Sequence, residues 1–451
     1  MGLRRLSGRK DAVAKGRELR RTLPRSSHAT WSSSFANRPD PVDTLELSHT
    51  RRLERLAPVR WARMVESPFA FLRGSAMVMA WDLAHLPHSE IYVQACGDAH
   101  LCNFGVSATP ERRLIFDVRD FDETLPAPWE WDVKRLAASI VVAARQRGMS
   151  RASTREAVLL CMADYRRAMR DALELTHKEI WYRRVDAVKL EADATGATKR
   201  YFRRMFKKAR RRTSKREARR LVVTVDGESH IPEDPPLIFP VKDSRVRSNM
   251  CTLLDEYVRT LTPDRRVLLD SYHVIDVAYR VVGVGSVGTR CLVALLYGDG
   301  HDDPLILQLK EANRSVLEPF VQRCPYPNQG ERVVQGQRII QAASDLFLGW
   351  KTFEDHDFYV RQLKDMKGTI DIDEMDPQTI VDFAELCGMT LAHAHARSGD
   401  FCQIAGYVGK GERFDTAIAE FADTYADQVE RDHAAFEQAV RGGRLPVEHV
   451  A

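Results

Sequence analysis

The sequence predicts an α+β fold, with a small antiparallel β-rich lobe and a large helical lobe. Three observations carry this. Residues 51–90 and 151–220 read as helical segments. Residues 273–313, "HVIDVAYRVVGVGSVGTRCLVALLYGDGHDDPLILQLKEAN", read strand, glycine turn, strand, turn, strand. Residues 371–451 return to a helical texture.

The elements follow in order. Residues 1–50 read as an arm, because "RTLPRSSHATWSSSFANRPDPVD" is rich in Ser, Pro and Arg and lacks periodicity. The helical stretch 51–90 is broken near Pro68. "IYVQAC" and "RLIFDVRDF" are short strands, and "WEWDVKRLAASIVVAARQRG" is a helix. The proline-rich "DGESHIPEDPPLIFP" marks a lobe boundary, which divides the rest of the chain into 51–240, 241–370 and 371–451. Within 241–370 a helix starts near Glu331, and "FLGWKTF" and "FYVRQLKDM" are two further strands. No internal repeat is present.

At 451 residues the chain can build two or three lobes, and 44% hydrophobic with 29% charged residues is the composition of a soluble globular protein. The best apolar run, "LAASIVVAA", is about half the roughly 20 residues needed to span a bilayer, so no membrane association is expected. The basic N-terminus has no apolar core and is not a secretory signal. Eight cysteines are scattered without a CxxC pair, so neither zinc nor a disulfide framework is suggested, and a reducing cytoplasm is the expected compartment. The net charge of +5 is mild, but Lys199–Arg220 holds thirteen basic residues and one acid, Glu217. That segment reads as a solvated helix or mobile loop, or as a docking surface for an acidic or phosphate-bearing partner. Its aromatic interleaving is too thin to support specific nucleic-acid reading.

Four constellations carry chemistry. In "ACGDAHLCNFG", Asp98, His100 and Asn103 sit on a turn after an apolar strand. Phosphoryl transfer needs a carboxylate beside the incoming hydroxyl and oxygen ligands for Mg2+, and Asp98 and Asn103 have the Asp-x-x-x-x-Asn spacing of a kinase catalytic loop. Turn capping is the alternative. In "LIFDVRDFDET", Asp117, Asp120, Asp122 and Glu123 cluster at a strand end, which calls for a cation or for neutralisation by Arg119. In "VVGVGSVGTRCLVALL", Gly283, Gly285 and Gly288 form G-x-G-x-x-G with strand texture on both sides. This fits a phosphate-covering hairpin, or an ordinary hairpin turn, and not a dinucleotide fold. Finally, Lys310 ends the apolar run "LILQLKEAN" and, if partly buried, needs an anionic partner. Glu331 is the first candidate, with Glu318 and Glu311 behind it. The pair His393 and His395 does not share a helix face, so packing is favoured over metal binding.

Together these pieces resemble the protein-kinase-like superfamily, especially its aminoglycoside-kinase, choline-kinase and HipA-like branches. "GDAHLCNFG" looks like their catalytic loop. "RDFDETLPAPWEWDVKRLA" looks like their metal-binding segment, with Asp120 and Asp132 twelve residues apart. The resemblance implies ATP and Mg2+ as cofactors, Asp98 as catalytic base, and Asn103 and Asp120 as metal ligands, with Asp117 in reserve. It places Gly283, Gly285, Ser286, Gly288 and Lys310 on the nucleotide phosphates and Glu331 beside Lys310. His100 would stabilise the loop and Asp132 would buttress it. An ordinary kinase runs glycine loop, lysine, then catalytic loop; here the catalytic loop comes first, as in a circular permutation. Over its whole length the chain also resembles an uncharacterised bacterial family, domain of unknown function 2252, through "RPDPV", "SPFAFLRG", "GDAHLCNFG", "DFDETLPAPWEWDVKRLAAS" and "YVRQLKDMKG". The expectation is a two-lobed, permuted kinase-like phosphotransferase acting on a small molecule or a protein. Adenylyl transfer, nucleotide binding without catalysis, and an acidic-partner or nucleic-acid binder built on 199–220 are the alternatives.

Overall fold

Local sequence explains why the turn that carries Asp98 is held between short strands. The computed structural model describes residues 8–31, 37–50, 52–225, 228–235, 237–241, 254, 256–281, 287–299, 303–363, 366–368 and 370–449. It is a mixed α/β chain with several small antiparallel sheets. In its first half lie β1 (Tyr92–Ala95), β2 (Phe104–Ala108), β3 (Leu114–Val118), β4 (Leu125–Pro128) and β5 (Val185–Asp186). β1 pairs with β4, and β2, β3 and β5 form a second antiparallel sheet. The Asp98 turn joins β1 to β2, and the acidic segment joins β3 to β4. The two pairings therefore bring both segments to one place.

The helix Trp129–Gln146 follows β4 directly. It is buried on all sides from Trp129 to Ala144, the pattern of a helix at the centre of a core. The long helices Arg151–Asp171, Pro377–Ser398 and Arg413–Arg441 pack around it. The helix Pro377–Ser398 also packs against β1 and β3, although more than two hundred residues separate them in the chain.

β6 (Val223–Val225) and β7 (Glu228–His230) make a small hairpin. The main sheet holds β8 (Ile238–Pro240), β9 (His273–Arg280), β10 (Cys291–Tyr297), β11 (Pro304–Glu311), β12 (Gly349–Phe353) and β13 (His356–Gln362). Its order is β12-β13-β11-β10-β9-β8, antiparallel throughout. β10 and β11 are covered on both faces, which is why they read as continuous apolar runs. Leu292, Ala294, Leu305, Leu307 and Leu309 fill one face, and Val293, Leu295 and Ile306 the other. By the two-residue period Lys310 shares the side of Ile306 and Gln308. Ala218 and Leu221 of the helix Ser214–Leu221 pack on that same face.

Two segments differ from their sequence reading. The arm contains the helices Arg9–Thr22 and Pro41–His49. The first lies on Phe401–Val408 through the small residues Ala12 and Gly16, so no apolar stripe announces it. In the basic segment, the helix Gly196–Arg210 buries Tyr201, Phe202, Met205, Phe206 and Ala209. Its aromatic residues belong to the core, while Arg203 and Arg204 reach outward to Glu191 and Glu374 at 2.9 and 3.1 Å. Among the described residues, no helix is long and apolar enough to cross a membrane. The seven described cysteines are free.

Candidate functional site

The Asp98 turn is fixed from behind. Cys96 and Gly97 donate their backbone N–H groups to the Asp132 carboxylate at 2.6 and 2.9 Å. Gly97 has φ +81°, and a Cβ there would meet Glu123 O at 2.3 Å, so the turn needs glycine. His395 Nε2 lies 3.2 Å from Asp132, and its Nδ1 meets the Tyr165 hydroxyl at 2.8 Å. Asp132 is 1% exposed and touches backbone and His395. It is a positioning residue behind the turn, not a group on the cleft.

Asp98 itself is held by Arg135, whose Nε and Nη2 donate to Oδ1 at 2.9 and 2.6 Å. Burial raises the Asp98 pKa and the Arg135 charge works against that rise. The second oxygen, Oδ2, is 3.7 Å from His100 Nε2. Burial, followed by the charges of Arg73 and Arg135, holds His100 well below the usual histidine value, so the ring is neutral. Asn103 donates its amide to the Asp98 carbonyl at 2.6 Å.

The acidic segment meets the main sheet. Lys310 Nζ pairs with Asp122 Oδ2, and the Tyr359 hydroxyl donates to Asp122 Oδ1 at 2.8 Å. Burial disfavours the Lys310 ammonium, but Asp122, helped by Tyr359 and Asp120, more than offsets it and holds the pKa above the usual lysine range. Asp120 Oδ1 accepts the Asp122 N–H at 3.2 Å. Arg332, on the helix Gln329–Ile340, clamps this junction by donating to the carbonyls of Thr124, Asp122 and Asn313 at 2.7–2.8 Å. Glu123 accepts the Val316 N–H at 2.7 Å, and burial pushes its pKa up to about 7.

Arg73, Asn103, Asp120, Lys310 and Arg361 line one cleft of about 500 Å³. A smaller cavity of about 60 Å³ adjoins it and is walled by Arg73, Asp98, Asp120, Asp122 and Glu123. A hollow of about 950 Å³ lies beyond, sharing Arg52 and Glu123 with the small cavity.

Two expected placements are corrected. The partner of Lys310 is Asp122, not Glu331. The Glu331 N–H is capped by Asn328 at the start of its helix, and its charge acts on Tyr326 and Cys324. Asp117 is buried within β3 and accepts the N–H groups of Val118 and Ala342, both at 2.9 Å, so its carboxylate does not line the cleft. Gly283, Gly285 and Ser286 lie outside the described residues. Gly288 has φ +92°, and its carbonyl accepts the Leu53 N–H at 2.7 Å, which ties the residues before β10 to the segment before the helix Ala57–Val65. Arg135 and Arg332 were not singled out from sequence; the signal for Arg135 was its place one turn after Asp132 on the same helix.

A family model described as an uncharacterized protein conserved in bacteria, DUF2252, matches residues 52–439. The chain belongs to this family. No curated protein and no solved structure matches it. The DUF2252 match contains both halves of the site, from Arg73 and Asp98 to Lys310 and Arg361.

Proposed function

We propose that the protein is an ATP- and Mg2+-dependent phosphotransferase on a circularly permuted kinase-like fold. One observation carries the reading: Lys310 of β11 joins Asp122 at a cleft that also holds Asn103 and Asp120, with Asp98 on the adjoining cavity. The order of elements supports it as well, with the G-x-G-x-x-G sequence between β9 and β10, a lysine on β11, then a helix and two strands.

The donor set suits Mg2+. Asn103 and Asp120 offer hard oxygen atoms on one wall. Among the described residues no group of three His, Cys, Asp or Glu is arranged to hold a metal alone. Magnesium at phosphoryl-transfer sites commonly takes one or two protein ligands and completes its shell with phosphate and water. Bound there, the ion would neutralise phosphate charge. Lys310 and Arg361 bind and orient phosphate oxygens from the sheet side. Asp98 orients the acceptor hydroxyl and takes its proton at Oδ2, because Oδ1 is occupied by Arg135. The raised pKa of Asp98 makes it a stronger proton acceptor than an exposed carboxylate.

The test is nucleotide turnover by the full chain, preceded by a thermal-shift screen of ATP with and without Mg2+. Lys310→Met should lower turnover by roughly 10²–10³-fold. An Asp120→Ala protein that retains full turnover refutes the assignment. Release of pyrophosphate would reassign the chemistry to adenylyl transfer, and saturable ATP binding without turnover would mark a regulator.

A further inference from the structure

The small cavity beside Asp98 has an unbalanced wall. At about 60 Å³ it has room for a group of a few heavy atoms and not for a nucleoside. Of its four acids, Asp120 accepts the Asp122 N–H at 3.2 Å and has no cation bonded to it among the described residues, while the other three are engaged. Asp98 is paired with Arg135, Asp122 with Lys310, and Glu123 accepts the Val316 N–H.

Two of its three arginines, Arg60 and Arg73, are in a different situation. Arg52, Arg60 and Arg73 all line the cavity. Arg60, 2% exposed, donates to Ser48 Oγ at 3.2 Å and to the Gly74 carbonyl at 3.1 Å, and its Nε has no partner. No carboxylate pairs with it among the described residues. Burial lowers its pKa well below the usual value, and the Arg52 charge adds to this. Arg73, on the next helix, makes no hydrogen bond or ion pair among the described residues, and its Nε is also buried without a partner. Arg52 donates Nη1 to the Val287 carbonyl at 2.8 Å. A guanidinium buried without a counter-ion is unfavourable, and a bound anion removes the deficit. Guanidinium forks match the oxygen geometry of phosphate.

We infer that this cavity is an oxyanion subsite in which Arg60 and Arg73, with Arg52 beside them, bind the phosphate group of a ligand. Its role next to Asp98 rests on the phosphotransferase reading. The anion itself is either the phosphoryl group of the nucleotide or a phosphate carried by the acceptor.

The experiment titrates inorganic phosphate into the full, nucleotide-free chain at constant ionic strength set with sodium chloride, and follows the melting temperature and the heat of binding. Phosphate should stabilise the protein saturably at millimolar concentration, where chloride does not. Arg73→Met should weaken phosphate binding at least about tenfold, and Arg73→Lys by less, since it keeps charge but loses the fork. Arg60→Met should lose phosphate binding, and its folding is checked in phosphate-free buffer, where removal of an unpaired buried charge opposes the loss of the bonds to Ser48 and Gly74. Absence of saturable phosphate binding, or wild-type phosphate affinity in Arg73→Met, overturns the subsite. Repeating the titration with a non-hydrolysable ATP analogue and Mg2+ separates the two sources. Competition assigns the subsite to the nucleotide's phosphoryl group, and simultaneous binding assigns it to the acceptor; both uphold the subsite. Phosphate binding without any nucleotide binding would sink the phosphotransferase reading and leave the subsite standing.

Discussion

Replacing Lys310 by Met removes the charge that joins the main sheet to the acidic segment. In wild type the Lys310 side chain is 3% exposed and Asp122 is 28% exposed. Taking one member from a buried ion pair costs about 3–5 kcal/mol, because the other charge is left uncompensated. Asp122 opens partly to the small cavity and keeps the Tyr359 hydroxyl, so Lys310→Met should fall near the low end, about 3 kcal/mol. Asp122→Asn strands the more deeply buried ammonium and should cost about 4 kcal/mol. The double variant should lose less than the two single losses together, by about 2 kcal/mol. The pH dependence follows from the two pKa directions. Burial would raise Asp122, but Lys310 and then Tyr359 outweigh it and hold the carboxyl below its usual value. Its stabilisation is present above about pH 4 and is lost as pH falls through the lowered folded value. Lys310 is held above its usual value, so its share is present below about pH 10 and is lost as pH rises through the folded value. The advantage of wild type over Lys310→Met should therefore be flat from about pH 5 to pH 9 and shrink on either side. Urea unfolding followed by tryptophan fluorescence at each pH measures it. A coupling energy under about 0.5 kcal/mol would refute the pairing.

Other perturbations test the surroundings. The folded pKa of Glu123 is raised, so its charged form opposes folding; wild type should lose stability relative to Glu123→Gln as pH rises from about 5 to 8. Parallel melting-temperature curves across that range would contradict the burial of this carboxyl. Asp132→Ala leaves the Cys96 and Gly97 N–H groups without their acceptor and should destabilise by about 2–5 kcal/mol in urea unfolding. Asp132→Asn, which keeps one carbonyl oxygen, should cost less, and equal losses would argue against the backbone anchoring.

Much of the main sheet was legible because β10 and β11 carry strong apolar runs and β9 a partly apolar one, with glycines in the sequence between them. The turn with Asp98 was legible from the short apolar strand before it, whereas β2, which follows it as Phe104–Ala108, has too little apolar alternation to be read as a strand. Partnerships between distant residues were not legible. Asp117, Asp120, Asp122 and Glu123 are near neighbours in the chain, and only tertiary geometry decides that Asp117 caps Ala342 while Asp122 meets Lys310. Glu331 was a reasonable candidate by element order, but Arg332 is the residue of that helix that reaches the acidic segment. The arginines at the small cavity were hidden by abundance. With 68 lysines and arginines in the chain, composition cannot reveal that Arg60 is buried without a carboxylate partner among the described residues. The helix Arg9–Thr22 escaped notice because its buried face is built from Ala12 and Gly16 instead of large apolar residues.

Lys310 and Asp122 are 188 residues apart in the chain. At a synthesis rate of roughly 5–20 residues per second, the acidic segment leaves the ribosome some ten to forty seconds before the strand that bears its cation. For that interval the Asp98 turn also lacks His395 and the long C-terminal helices. The nascent chain therefore carries Asp122 without its cation, although Arg135 is already present for Asp98, and the centre can close only after the strand bearing Lys310 and the helix bearing His395 have been made.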